Sequence, residues 1–126
     1  MTDVLTFDPV SPESVFKRFR EFYHPDARFY AVSKRDVEFA ILGLKKVGKD
    51  TCELSYCVYP DYKGNFNTKE AVLSVLNFAF SVNYNKVMIS TSDKPVRTLL
   101  HAFKRFGLDY MFTQGGKDWF LWEIKR

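Results

Sequence analysis

Residues 51–72 constrain this chain more than any other stretch. The run Cys52-Glu53-Leu54-Ser55-Tyr56-Cys57-Val58-Tyr59 reads as a strand. Pro60-Asp61-Tyr62-Lys63-Gly64-Asn65-Phe66 reads as a short loop with one base and one glycine, and Asn67-Thr68-Lys69-Glu70-Ala71-Val72 opens an apolar helix. Asn67 is a natural helix cap, and Glu70 three residues later completes a capping box. This order places unpaired backbone N–H groups and a helix N-terminus at the end of a strand. Both favour negative charge, so the place suits a phosphate. Lys63 is then a candidate phosphate contact.

The rest of the composition fits a single domain over residues 1–126. Hydrophobic residues make up 46% of the chain and Phe occurs 13 times, enough to give a small domain a real core. The net charge of +4 comes from short basic groups such as Lys17-Arg18 and Lys104-Arg105, not from long runs. It points to an anionic ligand or a solvated basic surface. With no nucleic-acid motif present, no nucleic-acid partner is expected. Cys52 and Cys57 lie an odd number of residues apart in one strand, so they should face opposite ways and stay reduced. No metal-ligand spacing occurs, and no apolar run approaches the roughly 20 residues of a membrane span. The expectation is a cytoplasmic protein without a metal.

Hydrophobic periodicity orders the remaining elements. Residues 3–8 read as a strand. Ser11-Pro12-Glu13 starts a helix carrying Val15, Phe16, Phe19, Phe22 and Tyr23, which His24-Pro25-Asp26 ends. Residues 27–33, 36–45 and 51–59 read as an antiparallel meander. The helix opened by Asn67 runs to about Asn83, and Lys86–Ser90 is a short strand covered on both sides. A helix over 95–106 follows, capped by Gly107. Strands 108–113 and 118–125 flank the hairpin signal Gln114-Gly115-Gly116-Lys117. The order is β-α-β-β-β-α-β-α-β-β, an α/β chain with a mixed, mostly antiparallel sheet.

That order resembles the GNAT acetyltransferase superfamily. Val58-Tyr59-Pro60-Asp61-Tyr62-Lys63-Gly64 is similar to the family's Val-x-Pro-x-Tyr-Arg-Gly, Glu53-Leu54-Ser55-Tyr56 to its Glu-Leu-Gly-Tyr, and Arg105-Phe106-Gly107-Leu108 to its Lys-Leu-Gly-Phe. The resemblance implies acyl transfer from acetyl-CoA to an amine. It implies pantetheine pairing along Tyr56, Cys57 and Val58, and a pyrophosphate on Lys63, Gly64, Asn65, Phe66, Asn67 and Thr68. The short segment before residue 27 implies an open acceptor side, which suits a protein or peptide amine. Glu53 is the candidate general base and Tyr56 the candidate donor near the thioester. Against these stand an outward strand glutamate and a packing tyrosine. Asp93 and Ser92 fall where the family places acceptor-binding groups.

The chain also departs from that pattern. In the family loop R/Q-x-x-G-x-G/A, Lys63 stands for Arg or Gln, Phe66 for the first Gly and Thr68 for the last small residue. A Cβ at Phe66 obstructs close approach to phosphate unless its ring turns inward. The family's acidic Tyr falls at Phe103 and its Asn at Val96. These departures support the alternative of a GNAT-like binding or structural protein without catalysis, similar in style to small, sometimes virion-associated phage proteins. No Ser/His/Asp triad or Walker loop can be assembled from the chain.

Overall fold

The computed structural model describes residues 5–62, 69–104 and 107–123. Seven strands form one sheet in the order β1-β2-β3-β4-β5-β7-β6. They are β1 (Leu5–Val10), β2 (Ala27–Lys34), β3 (Val37–Lys46), β4 (Thr51–Val58), β5 (Lys86–Thr91), β6 (Leu108–Gln114) and β7 (Lys117–Glu123). The helices among the described residues are α1 (Pro12–Arg18), α2 (Lys69–Ser81) and α3 (Lys94–His101), with a short 3-10 turn at Pro60–Tyr62. The expected order of elements holds throughout. Only β4 and β5 pair in parallel; every other neighbour is antiparallel.

The helices divide between the two faces. On one, Val15 of α1 packs with Phe29, Ala31 and Ile41. On the other, Ala71, Val75, Leu76 and Ala79 of α2 and Leu100 of α3 cover Leu42, Leu54, Val87 and Phe120. Strand β3 runs under both layers, which is why Phe39 to Leu42 are all at most 1% exposed and why the sequence there is a continuous apolar run without alternation. Cys52 belongs to the α2 face and is buried, while Cys57 is partly exposed; both are free thiols. Burial pushes the Cys52 thiol up to about 12, so it stays protonated and inert.

Two helices are shorter than their periodicity predicts. Ser11 caps α1 as expected, its hydroxyl accepting from the Ser14 N–H at 3.2 Å. The helix stops at Arg18, and Phe19 leaves helical geometry at φ −140°, ψ 61°. Tertiary contacts outweigh the local pattern here. The Phe19 ring stacks on Tyr59 at 5.6 Å, while Phe22 and Tyr23 meet Phe29 at 5.8 and 6.1 Å. Separate turns, such as Tyr23 N–H to the Phe19 carbonyl at 3.2 Å, keep near-helical spacing without a continuous helix. Arg18 closes the corner: it approaches Glu38 at 3.7 Å and donates to the Tyr59 hydroxyl at 3.4 Å, and that hydroxyl donates to Glu38.

Helix α3 ends at His101 rather than 106. Its last turn tightens, with the Phe103 N–H bonding the Leu100 carbonyl at 3.0 Å. Gly107 then adopts φ +96° and Leu108 N–H reaches back to the Phe103 carbonyl at 3.3 Å, the expected glycine termination. In the β6–β7 hairpin, Gly115 and Gly116 sit at φ +62° and +78°, the left-handed pair that a two-residue turn requires.

Candidate active site

The β4–β5 pairing covers only part of each strand. Thr51–Leu54 pair with Lys86–Ile89, and there the ladder ends. Beyond it, β4 stays on β3 through Val58, and β5 stays on β7 through Thr91. The two strands therefore splay, and the edge of residues 55–58 turned away from β3 has no strand partner.

A cleft of about 470 Å³ fills the splay. Its two sides differ in chemistry. Leu54, Tyr56 and Val58 of β4, with Val72, Val75 and Leu76 of α2, line the α2 side. Val96 and Leu99 of α3 extend that apolar wall. By strand alternation Glu53, Ser55, Ser90 and Lys117 belong to the opposite face, where Phe22 also reaches the cleft. Thr91 and Asp93 stand at the end of β5. The opening thus passes through the sheet, dry on one side and polar on the other.

Glu53 and Tyr56 lie three residues apart in a strand, so they address the cleft from opposite faces. The Glu53 carboxylate pairs with its cross-strand neighbour Lys45 at 3.8 Å. The Tyr56 hydroxyl is buried and has no hydrogen-bond partner among the described residues. Burial pushes its pKa well above the phenolic value. It therefore keeps its proton at any working pH and is free to donate.

Of the residues expected from sequence, Glu53, Tyr56, Val58 and Asp93 line the cleft. Cys57 is not among the lining residues, although its side chain shares the face of Glu53 and Ser55; on the free edge of β4 it has only backbone to offer. Lys63, Gly64, Asn65, Phe66, Asn67 and Thr68 lie outside the described residues. Val96 lines the cleft, and Phe103 is a core residue at 2% exposure. Phe22 and Lys117 escaped the sequence reading. Each comes from a segment distant in sequence, and the only signal at Lys117 was its place after the Gly-Gly turn. No group of three or more metal-ligating side chains occurs among the described residues. No described helix is long and apolar enough to cross a membrane.

Asp118 holds the rim of the cleft together. It is 6% exposed and accepts from Thr113 Oγ1 at 2.8 Å, while His101 Nε2 lies 3.0 Å from its other oxygen. Arg97 Nε approaches that oxygen at 3.4 Å off the hydrogen-bonding angle, an ion contact. Arg97 also donates to the Gly116 carbonyl at 3.3 Å. One carboxylate thus ties α3 to the β6–β7 hairpin. These hydrogen bonds, His101 first and Thr113 next, hold the Asp118 carboxyl below its ordinary pKa. A depressed carboxylate contributes stability above its unfolded value of about 3.9, and that stability is lost as pH falls through the folded value. The melting temperature should therefore drop on acidification below about pH 4. Asp118→Asn should melt lower at neutral pH and respond less to acid. Parallel acid profiles for the two proteins would remove Asp118 from this role.

Comparison with known proteins bears on the fold. No family model matches the chain, and no curated protein does. Solved structures do match. It is similar to an IAA acetyltransferase from Bacillus cereus, with a TM-score of 0.68 at 13% identity over 95% of this chain and 99% of that one. It is similar to a GNAT family acetyltransferase from Elizabethkingia anophelis with acetyl-CoA bound, at 0.66 and 14% over 98% and 100%. It is also similar to the N-acetyltransferase PseH of Campylobacter jejuni in complex with acetyl coenzyme A, at 0.67 and 9% over 97% and 100%. Identities this low speak for architecture alone. With its seven-stranded sheet opened between β4 and β5, the chain has the fold of the GNAT acetyltransferases.

Proposed function

We propose that this protein transfers an acetyl group from acetyl-CoA to an amine. The observation that carries the reading is the through-sheet cleft at the β4–β5 splay, apolar on the α2 side and polar on the other. The dry side fits a pantetheine arm. The free edge of residues 55–58 offers backbone groups to its amides, and the buried, unpartnered Tyr56 hydroxyl is assigned to its sulfur end. Residues 63–68, which join the end of β4 to α2, are assigned the pyrophosphate by their sequence.

Bound there, acetyl-CoA supplies an activated acyl carbon: the amine nitrogen bonds to it, the C–S bond breaks and the sulfur leaves as thiolate. Glu53, on the polar face, takes the proton that the amine loses. Tyr56, on the dry face, donates a hydrogen bond to the departing sulfur. The base and the donor thus work from opposite sides of one strand. The short, turn-rich segment of residues 19–26 leaves the acceptor face open beside Phe22, with room for a peptide as well as a small amine. Such a protein works in the cytoplasm, where acetyl-CoA is made.

The rival reading, a binding or structural protein on the same fold with catalysis lost, rests on Phe103. It is a buried hydrocarbon where the resemblance calls for an acid. Calorimetric titration with acetyl-CoA, followed by an assay for release of CoA thiol in the presence of an amine, separates the two. Saturable binding that weakens when a bulky side chain replaces Val72 on the dry wall, together with thiol release, supports the transferase. No binding at millimolar concentration overturns it.

A further inference from the structure

We propose that the acceptor carries a carboxylate a few bonds from its reactive amine and that Lys117 receives it. The inference rests on the acetyltransferase reading and names the substrate class of that same cleft.

Three observations converge on Lys117. It lines the polar side of the cleft. It makes no ion pair among the described residues, whereas Lys45 is matched to Glu53 and Arg97 to Asp118. Its backbone is pinned on both sides: the preceding Gly116 carbonyl accepts from Arg97, and the following Asp118 is locked to α3 through Arg97 and His101. An ordinary hairpin lysine swings freely in solvent. This one springs from a fixed point at the mouth of the cleft.

The register sets the distance scale. Thr91 pairs with Asp118, so Lys117 stands one step beyond, level with Ser92, and Glu53 pairs with Met88 four residues deeper. A rise of about 3.3 Å per residue puts roughly 13 Å between the two levels along β5. The Lys117 side chain spans part of that gap, leaving room for an amine at Glu53 and an anion at the lysine in one small molecule. Ser90 shares their face of the sheet and offers a hydroxyl between the two levels. The surroundings of Lys117 are not uniformly basic. Asp93, which makes no side-chain cap bond to α3 and no ion pair among the described residues, sits on the same rim, next to the exposed Lys94. Glu53 and Asp93 would therefore repel a bare dianion, and the cleft fits a group with both signs: an amine inward and a carboxylate outward. A free amino acid has this chemistry, and so does the N-terminus of a peptide that begins with an acidic residue.

Matched pairs test it, read by release of CoA thiol: β-alanine against its amide, and a tripeptide amide beginning with aspartate against one beginning with asparagine. The carboxylate member of at least one pair should be favoured about tenfold or more in kcat/KM, the worth of one charge-assisted hydrogen bond. The pair that shows the preference identifies the source. Lys117→Ala should reduce the preference to about twofold, and Lys117→Glu should invert it toward the amide, with circular dichroism confirming that both variants fold. Equal use of both members, preference for the amide, or a preference untouched by Lys117→Glu would overturn the proposal and leave the acetyltransferase reading standing. So would acetyl-CoA binding without turnover of any of the four amines. Failure to bind acetyl-CoA at all would instead remove the underlying reading, and this inference with it.

Discussion

Exchanging Glu53 for Gln should lower kcat for acetyl transfer by about 10²- to 10⁴-fold, the usual contribution of a positioned general base. The substitution keeps the size and shape of the side chain and removes only its capacity to take a proton. Lys45, 3.8 Å away, loses its ion partner, but both side chains are about a third exposed and the pair contributes little to stability. The melting temperature and the acetyl-CoA isotherm should therefore move little while turnover collapses. The loss should also shrink as pH rises, because more of the amine is then already neutral. A variant with near-normal kcat would return Glu53 to the role of an ordinary strand residue. The proton would then leave by another route, with Asp93 the next carboxylate along the cleft.

Phe120→Ala should destabilise the fold by about 3–5 kcal/mol, the cost of deleting a large aromatic from a packed interior. Phe120 is 1% exposed and stands between Ile89 on β5 and Tyr110 on β6. Its ring meets those of His101 and Tyr110 at 5.0 and 5.9 Å. Against a total stability of about 5–15 kcal/mol, such a loss brings the chain close to unfolding at ambient temperature. Urea denaturation should show a lower midpoint with an unchanged slope. Because Ile89 lines the cleft, acetyl-CoA affinity should fall as well. A loss below about 1 kcal/mol would mean that α3 and the hairpin collapse onto the vacancy, so that this corner is softer than its packing suggests.

The element order was legible because each element keeps its own period. Strand β4 alternates Cys52, Leu54, Tyr56 and Val58 inward, α2 repeats Ala71, Val75 and Ala79, and the Gly-Gly turn marks its hairpin. The end of α1 was not legible. Phe19, Phe22 and Tyr23 keep helical spacing, yet their burial is decided by Phe29 on β2 and by Tyr59 just past the end of β4, which the local pattern does not contain. The same division runs through the site. Glu53 and Tyr56 could be singled out because one strand carries both. Lys117 and Phe22 could not, since what brings them together is the failure of β4 and β5 to pair beyond Leu54 and Ile89. Asp118 was equally hidden: its partners Arg97 and His101 are on a helix 17 or more residues earlier.

The opening through the sheet also bears on the order of events. A site with a single mouth forces one substrate to wait behind the other, and products must leave in reverse. Here the cleft is lined by residues from both faces of the sheet. If the protein is the proposed transferase, two substrates approaching from opposite faces need not queue, and each product can depart on the side its parent used. On the proposed transferase reading, no side chain has to carry the acetyl group in between, because donor and acceptor would meet in the gap itself. Evolution can then reshape the polar side for a new amine while the dry one keeps its grip on the common donor.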